Sequence, residues 1–343
     1  MRVTEFLYYL GFSVRQYYSL KNRRRLPCKV ISIGNIAVGG TGKTPAVIAV
    51  AEEGIRRGLS PIVLTRGYKG TAKGPCFVTK GEGPLLSFVE AGDEPFLMAE
   101  KLKGVPVVKC RSRYEGGMFA LHELSIPDSE FGKLIFILDD GFQHRGLFRD
   151  TDIVLIDAED PFGRGKLLPL GRLREPVASL GRADIIVLTK TVEPHEGGRG
   201  RLDDLCKEIR KYNHHCSIFR AEHKPLSCRF PDGSEKPIDW ISGKKIFGFC
   251  ALGSPESFLG TLRSSGAEVA GFRSFRDHYA YRCEDISAIK TEAERTGAGW
   301  IVTTEKDIIK ARDLDLPGNV AIVAIAFSVE DGFYDGIFGR QIG

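Results

Sequence analysis

Ten residues, Asn35-Ile-Ala-Val-Gly-Gly-Thr-Gly-Lys-Thr44, follow the short apolar run from Leu26 to Ile33 and lead into a helical pattern that starts near Lys43. A glycine-rich turn between a strand and a helix points successive backbone N–H groups at one anion, and the helix N-terminus adds its partial positive charge. Ala37, Val38, Gly39, Gly40, Thr41 and Gly42 would cradle the phosphates of a nucleoside triphosphate. Lys43 would reach the β- and γ-phosphates and Thr44 would hold Mg²⁺. The strict pattern wants glycine where Ala37 stands, and alanine is small enough to keep the loop plausible.

Carboxylates lie where such a cradle needs them. The apolar run Leu134–Leu138 delivers Asp139-Asp140, hard oxygen ligands suited to the metal on Thr44, and the sequence does not say which of the two faces it. Ala91-Gly-Asp-Glu-Pro95 puts Asp93 and Glu94 on a turn entering a helix. Phosphoryl transfer to a hydroxyl needs one carboxylate to take the proton, and a second positions metal or substrate. The same residues also make a good acidic helix start. Gln143, His144 and Arg145 continue from the aspartate pair, Arg66 and Tyr68 follow the second apolar run, and Arg172 and Arg174 offer planar donors for phosphate. His278 stands beside Asp277 in Phe275-Arg-Asp-His-Tyr279, and a single histidine of this kind is more often structural.

The elements that must position these groups form an α/β pattern. Runs at Lys29–Ile33, Pro61–Thr65, Val105–Lys109, Leu134–Leu138, Asp152–Ile156 and Asp184–Leu188 are apolar throughout and alternate with helical stretches. That predicts a mostly parallel sheet flanked by helices, with ligands beyond the carboxyl ends of its strands. Two extended runs around Pro231-Asp232-Gly233-Ser234 predict a hairpin linker over 221–240. It divides a phosphate-loop domain, 1–220, from a smaller α/β domain, 241–343, whose C-terminal end is free to pack back on the first. Glu193–Gly200 has the composition of a loop.

With 343 residues and a net charge of +5, the chain has an ordinary globular composition. Its eight cysteines include no Cys-x-x-Cys pair, which argues against zinc and disulfide frameworks and for a reducing compartment. No run approaches the ~20 apolar residues of a spanning helix. Residues 3–20 are amphipathic, with Val3, Phe6, Leu7, Leu10, Val14, Tyr17 and Tyr18 at helical spacing and Lys21, Arg23, Arg24 and Arg25 just beyond. This helix suits an anionic bilayer surface or the flank of its own domain, and the pattern alone serves both.

Taken together, Gly39-Gly-Thr-Gly-Lys-Thr-Pro45, Thr65-Arg-Gly-Tyr68, Ala91-Gly-Asp-Glu-Pro95, Asp139-Asp-Gly-Phe-Gln-His-Arg145, Leu173-Arg-Glu-Pro176, Asp277-His278 and Thr304-Glu-Lys-Asp307 resemble the tetraacyldisaccharide 4′-kinase family of Gram-negative bacteria. The resemblance implies transfer of the ATP γ-phosphoryl group, with Mg²⁺, to the 4′-hydroxyl of a tetraacylated glucosamine disaccharide 1-phosphate. It implies Asp93 as base, assisted by His278, with Lys43, Asp139 and Asp140 in catalysis and Thr44, Asp139, Asp140 and Glu94 near the metal. It further implies a peripheral enzyme on the cytoplasmic face of the inner membrane, on its anionic surface, with no nucleic acid as partner. The oligomeric state stays open. The competing class is a nucleotide-switch or partitioning ATPase, whose deviant loops carry lysine where Val38 stands. A GTPase would want [NT]-K-x-D, which Thr189-Lys-Thr-Val192 fails at its last position.

Overall fold

The computed structural model describes residues 3–191 and 198–340. The chain forms two compact units, Met1–His223 with Phe327–Gly343, and Lys224–Ala326. The first begins with α1 (Val3–Lys21), β1 (Lys29–Gly34), α2 (Lys43–Arg56), β2 (Ser60–Thr65), β3 (Cys76–Thr79), α3 (Phe88–Ala91) and α4 (Asp93–Lys101). It continues through β4 (Val107–Lys109), α5 (Arg113–Glu123), β5 (Leu134–Asp139), β6 (Thr151–Asp157), β7 (Ile185–Thr189), α6 (Gly198–Arg210) and the start of β8 (Ser217–Arg229). The second holds β9 (Glu235–Pro237), β10 (Lys245–Cys250), α7 (Pro255–Ser264), β11 (Glu268–Ser274), α8 (Cys283–Thr296), β12 (Trp300–Thr304), α9 (Glu305–Ala311) and most of β13 (Val320–Val329). Helix α10 (Phe333–Phe338) returns to the first unit.

In the first unit the strand order is β8-β7-β6-β1-β5-β2-β4-β3, parallel except where β3 runs antiparallel to β4. Strands β5 and β7 are buried at every position, which is why they carry no polar alternation. The strand expected from Val105 begins only at Val107, because Pro106 has no N–H to give the ladder. The short edge strand β3 had no legible pattern. Of the stretch expected to be a loop, residues 193–197 lie outside the described residues and Gly198 already opens α6. In the second unit β11-β10-β12-β13 are all parallel, and β9 folds back antiparallel on the end of β8 around Pro231–Ser234.

Helix α1 packs with its polar side inward. Glu5 and Gln16 are its buried residues, at 7% and 6% exposure. Glu5 accepts a bond from the Leu167 N–H, Tyr8 donates to the Arg174 carbonyl and Gln16 donates to the Gln143 carbonyl. The apolar stripe is left outside, with Val3, Phe6, Leu7, Leu10, Val14, Tyr17 and Tyr18 all exposed. Packing of that stripe on its own domain is therefore overturned: polar residues hold the helix down instead.

Helix α10 is clamped to α2. Arg57 donates to Glu53 at 2.6 Å, to Asp335 at 2.7 Å and to the Gly339 carbonyl at 2.7 Å, while Lys29 donates to the Ile337 carbonyl at 2.6 Å. Cations thus satisfy carbonyls that a helix end leaves without intrahelical partners. Arg57→Ala should destabilise the protein by about 1–3 kcal/mol and speed amide exchange over 333–339. Unchanged melting and exchange would show that the clamp contributes nothing.

Candidate active site

The turn after β1 is held from within and from its edge. Asn35, fully buried, donates to the Thr41 hydroxyl at 3.1 Å. Val38 N–H donates to the Arg172 carbonyl at 2.7 Å, Arg174 N–H donates to the Ile36 carbonyl at 2.8 Å, and Ala37 pairs antiparallel with Leu173. Ala37 thus lies in extended backbone and needs no glycine, which explains its departure from the strict pattern. Gly42 is different, with φ 78°. A methyl group there would also fall 1.9 Å from the His223 ring nitrogen Nε2. Helix α2 starts directly after it with no side-chain cap, so its first N–H groups are left for a ligand.

Behind this turn lies a cluster of charge. The Lys43 ammonium is 3.7 Å from Asp140, and Arg174 donates to both oxygens of the same carboxylate at 2.7 and 2.8 Å. Burial works to raise Asp140, but the Lys43 and Arg174 charges outweigh it and hold the carboxyl below its ordinary value. Asp139, at the end of β5, has one hydroxyl donor, Thr65 at 2.9 Å, and burial beside the Asp140 charge pushes it up to about 6. Burial lowers Lys43 despite Asp140. Neighbouring carboxylates with separated pKa values are typical of sites that handle charge.

The flanking loops converge on this cluster. Gln143 donates to the Asn35 carbonyl at 2.7 Å and to Glu175 at 2.6 Å, and the fully buried Glu175 also accepts from Arg182 at 2.7 Å. Burial together with the Arg113 and Arg149 charges pushes His144 down to about 4, which keeps its ring neutral at physiological pH. Arg145 is lowered by burial and by Arg182 and Arg149. Arg172 is spent on the Val38 carbonyl and Asp160, at 2.9 and 3.0 Å. Arg66 and Tyr68 are exposed beyond β2, and the Arg66 charge is felt by Arg113 and His144.

Asp93 and Glu94 open α4 after Gly92, two residues before the helix start expected at Pro95. The Glu94 charge acts on both Lys43 and Asp139, which brings this helix end to the same cluster. His278 belongs to the second unit, where it has φ 62° and lies 3.7 Å from Asp277. Left-handed backbone at a non-glycine residue is uncommon and marks an over-determined turn. Arg113, which no motif marked, is buried, donates to the carbonyls of Cys110 and Asp139 and is lowered to about 10 by burial. Thr65 and Glu175 lay inside recognisable motifs, but only contacts distant in sequence reveal their work.

Known proteins of one description are similar to this chain over most of its length. The chain resembles a tetraacyldisaccharide 4′-kinase of Syntrophus aciditrophicus, with 40% identity over 311 residues, 89% of this chain and 80% of that one. A kinase of the same description from Chlorobium limicola is 38% identical over 301 residues, covering 88% and 81%. The crystal structure of LpxK from Aquifex aeolicus in complex with ATP matches with a TM-score of 0.74 and 34% identity, covering 97% of this chain and 96% of that one. Residues 1–338 match the family described as tetraacyldisaccharide-1-P 4′-kinase. The chain belongs to that family.

Proposed function

We propose that this protein is the kinase its family name describes, transferring the γ-phosphoryl group of ATP to the 4′-hydroxyl of a tetraacylated glucosamine disaccharide 1-phosphate in lipid A biosynthesis. The observation that carries this is the set of buried Asp139 with partly buried Lys43 and Asp140 behind an uncapped helix start, with the acidic end of α4 in its field. The residues fit the nucleotide: the loop from Ala37 to Gly42 and the α2 N–H groups take the phosphates, and Lys43 neutralises them. They also fit a hard cation, since Asp139, Asp140, Glu94 and Thr44 supply only oxygen donors. Mg²⁺ needs just one or two carboxylates when phosphate oxygens complete its shell, and its contribution when bound is to neutralise charge developing on them.

Asp93 is the proposed base. It accepts the proton of the 4′-hydroxyl as that oxygen bonds to the γ-phosphorus, the bond from phosphorus to the bridging oxygen breaks, and ADP leaves. His278 is the proposed assistant to Asp93. Arg66, Tyr68, Gln143, His144 and Arg145 are proposed to line the acceptor side. Arg172 and Arg174, already bonded to the loop and to Asp140, are proposed to relay phosphate binding through those contacts.

No described helix is long and apolar enough to cross a membrane. The outward stripe of α1 supports peripheral attachment to an anionic inner-membrane surface, where the acyl chains of the acceptor reside. Arg23 and Arg25 stack on the Phe148 ring at 4.5 and 4.3 Å, and Arg24 stacks on Tyr114 at 4.9 Å, keeping a basic rim near the end of that helix.

Labelled ATP should deliver its phosphate to the lipid disaccharide and not to water, and label found only as free phosphate would overturn the kinase reading. Asp93→Asn should lower kcat roughly 10²- to 10⁴-fold with ATP affinity nearly unchanged. Turnover like the wild type would remove Asp93 from the base role. Asp139 has its pKa raised to about 6, so its carboxylate is lost as pH falls through that value. The advantage of wild type over Asp139→Asn in Mg·ATP affinity should therefore be full above pH 7 and shrink below about 6. An advantage independent of pH would exclude Asp139 as the titrating ligand. Because its folded pKa is raised, Asp139 stabilises the fold most below about pH 4 and loses that contribution as pH rises through 6. Finally, the double change Phe6→Ser with Leu10→Ser should cut partition into anionic vesicles at least tenfold, since each buried side chain contributes about 1.5–3 kcal/mol. Unaltered partition would rule out α1 as the anchor.

A further inference from the structure

Lys109 is the last residue of β4 and is only 4% exposed. It pairs across the ladder with Thr65, the donor to Asp139. Its ammonium donates to a main-chain carbonyl, that of Glu90, at 2.5 Å. Burying an ammonium on a neutral carbonyl is costlier than burying an apolar side chain of the same shape. Filling space would need only the stem. The charged end therefore has to be explained by what it holds.

It holds the loop after β2 against the end of α3. Gly67, with φ 64°, lies so close that a methyl group there would fall 2.3 Å from Lys109 Cε. A methyl group on Gly70 would meet the Ala91 and Glu90 carbonyls at 2.4 and 2.5 Å and Lys109 Nζ at 2.5 Å. One on Gly92, where φ is 95°, would fall 2.6 Å from the Tyr68 carbonyl. Thr71 and Ala72 N–H groups donate to the Val89 and Glu90 carbonyls at 3.0 and 3.1 Å, closing the contact. The next residue after Gly92 is Asp93, and the residue before Arg66 is Thr65.

We propose that Lys109 is a positioning residue for phosphoryl transfer: its ammonium locks segment 66–72 to segment 89–92 and so fixes Asp93 relative to the Asp139 strand end. It acts through backbone and touches no reacting atom. The inference rests on Asp93 being the base. Holding a base within a fraction of an ångström is worth far more to the rate than to nucleotide binding.

The test uses the full chain with Lys109→Met, Asp93→Asn and the double variant, measuring kcat and both KM values after confirming folding. Lys109→Met should lower kcat roughly 10- to 100-fold with KM for ATP within about twofold of wild type. On the Asp93→Asn background it should cause less than about a twofold further loss, because a base that is absent cannot be misplaced. An unchanged kcat, an equal loss in both backgrounds, or a loss seen mainly in KM for ATP would overturn the proposal. If Lys109→Met does not fold, Lys109→Gln, which retains a donor, is judged by the same criteria. Turnover like the wild type in Asp93→Asn would sink the base reading and this inference with it. Impaired Asp93→Asn beside an unaffected Lys109→Met would sink this inference alone.

Discussion

Asp140 sits at a left-handed φ of 50° with its carboxylate between the Lys43 ammonium and the Arg174 guanidinium. This one three-charge contact joins the phosphate loop, the end of β5 and the 172–174 segment, which arrive from distant parts of the chain. A half-buried carboxylate with two cations is held below its ordinary value, whereas its neighbour Asp139, buried beside the Asp140 charge, is raised despite the Thr65 hydroxyl. The environment splits two chemically identical side chains into one held below the ordinary carboxylate value and one raised to about 6. Sequence adjacency conceals that difference.

The other contacts of the site follow from the need to keep this cluster supplied with partners. Glu175 is fully buried and would be untenable without Gln143 and Arg182. Gln143 in turn donates to the Asn35 carbonyl, so the turn after Asp140 and the turn after β1 are bolted together through side chains. Arg182 also lies 3.8 Å above the Phe142 ring, carrying the polar network into the apolar core without leaving a charge alone. The same logic extends to α1: its Tyr8 and Gln16 donors end on Arg174 and Gln143, so the helix that offers an apolar face to the outside is anchored on the site itself. The outward apolar face of α1 and the placement of the site loops are thereby mechanically connected.

Much of the fold was legible because buried parallel strands are unmistakable runs of Val, Ile, Leu and Phe, and the phosphate loop has a spacing dictated by backbone geometry. The helix start at Lys43 and the strand from Leu134, expected to end at Leu138 and extending one residue further to Asp139, were readable for that reason. The edge strand Cys76–Thr79 was not, being four residues long and defined by its partner Val107–Lys109 more than by its own pattern. Arg113 and Lys109 were invisible as well. Nothing in a lone basic residue at a strand or helix end announces that it will be buried on carbonyl oxygens.

The amino-acid sequence by itself determined the alternation of buried strands with helices, the phosphate-binding turn and the set of carboxylates available to it, since these depend on local periodicity and on residue type. Tertiary structure alone decided which aspartate is held below its ordinary value and which is raised, which arginines are spent on the loop and which face of the N-terminal helix meets the protein. Those outcomes depend on burial and on partners brought together across more than a hundred residues, as when Tyr8 reaches Arg174 or Gln16 reaches Gln143. The strength of a charge or a hydrogen bond is set by such surroundings, and no pattern along the chain encodes them locally.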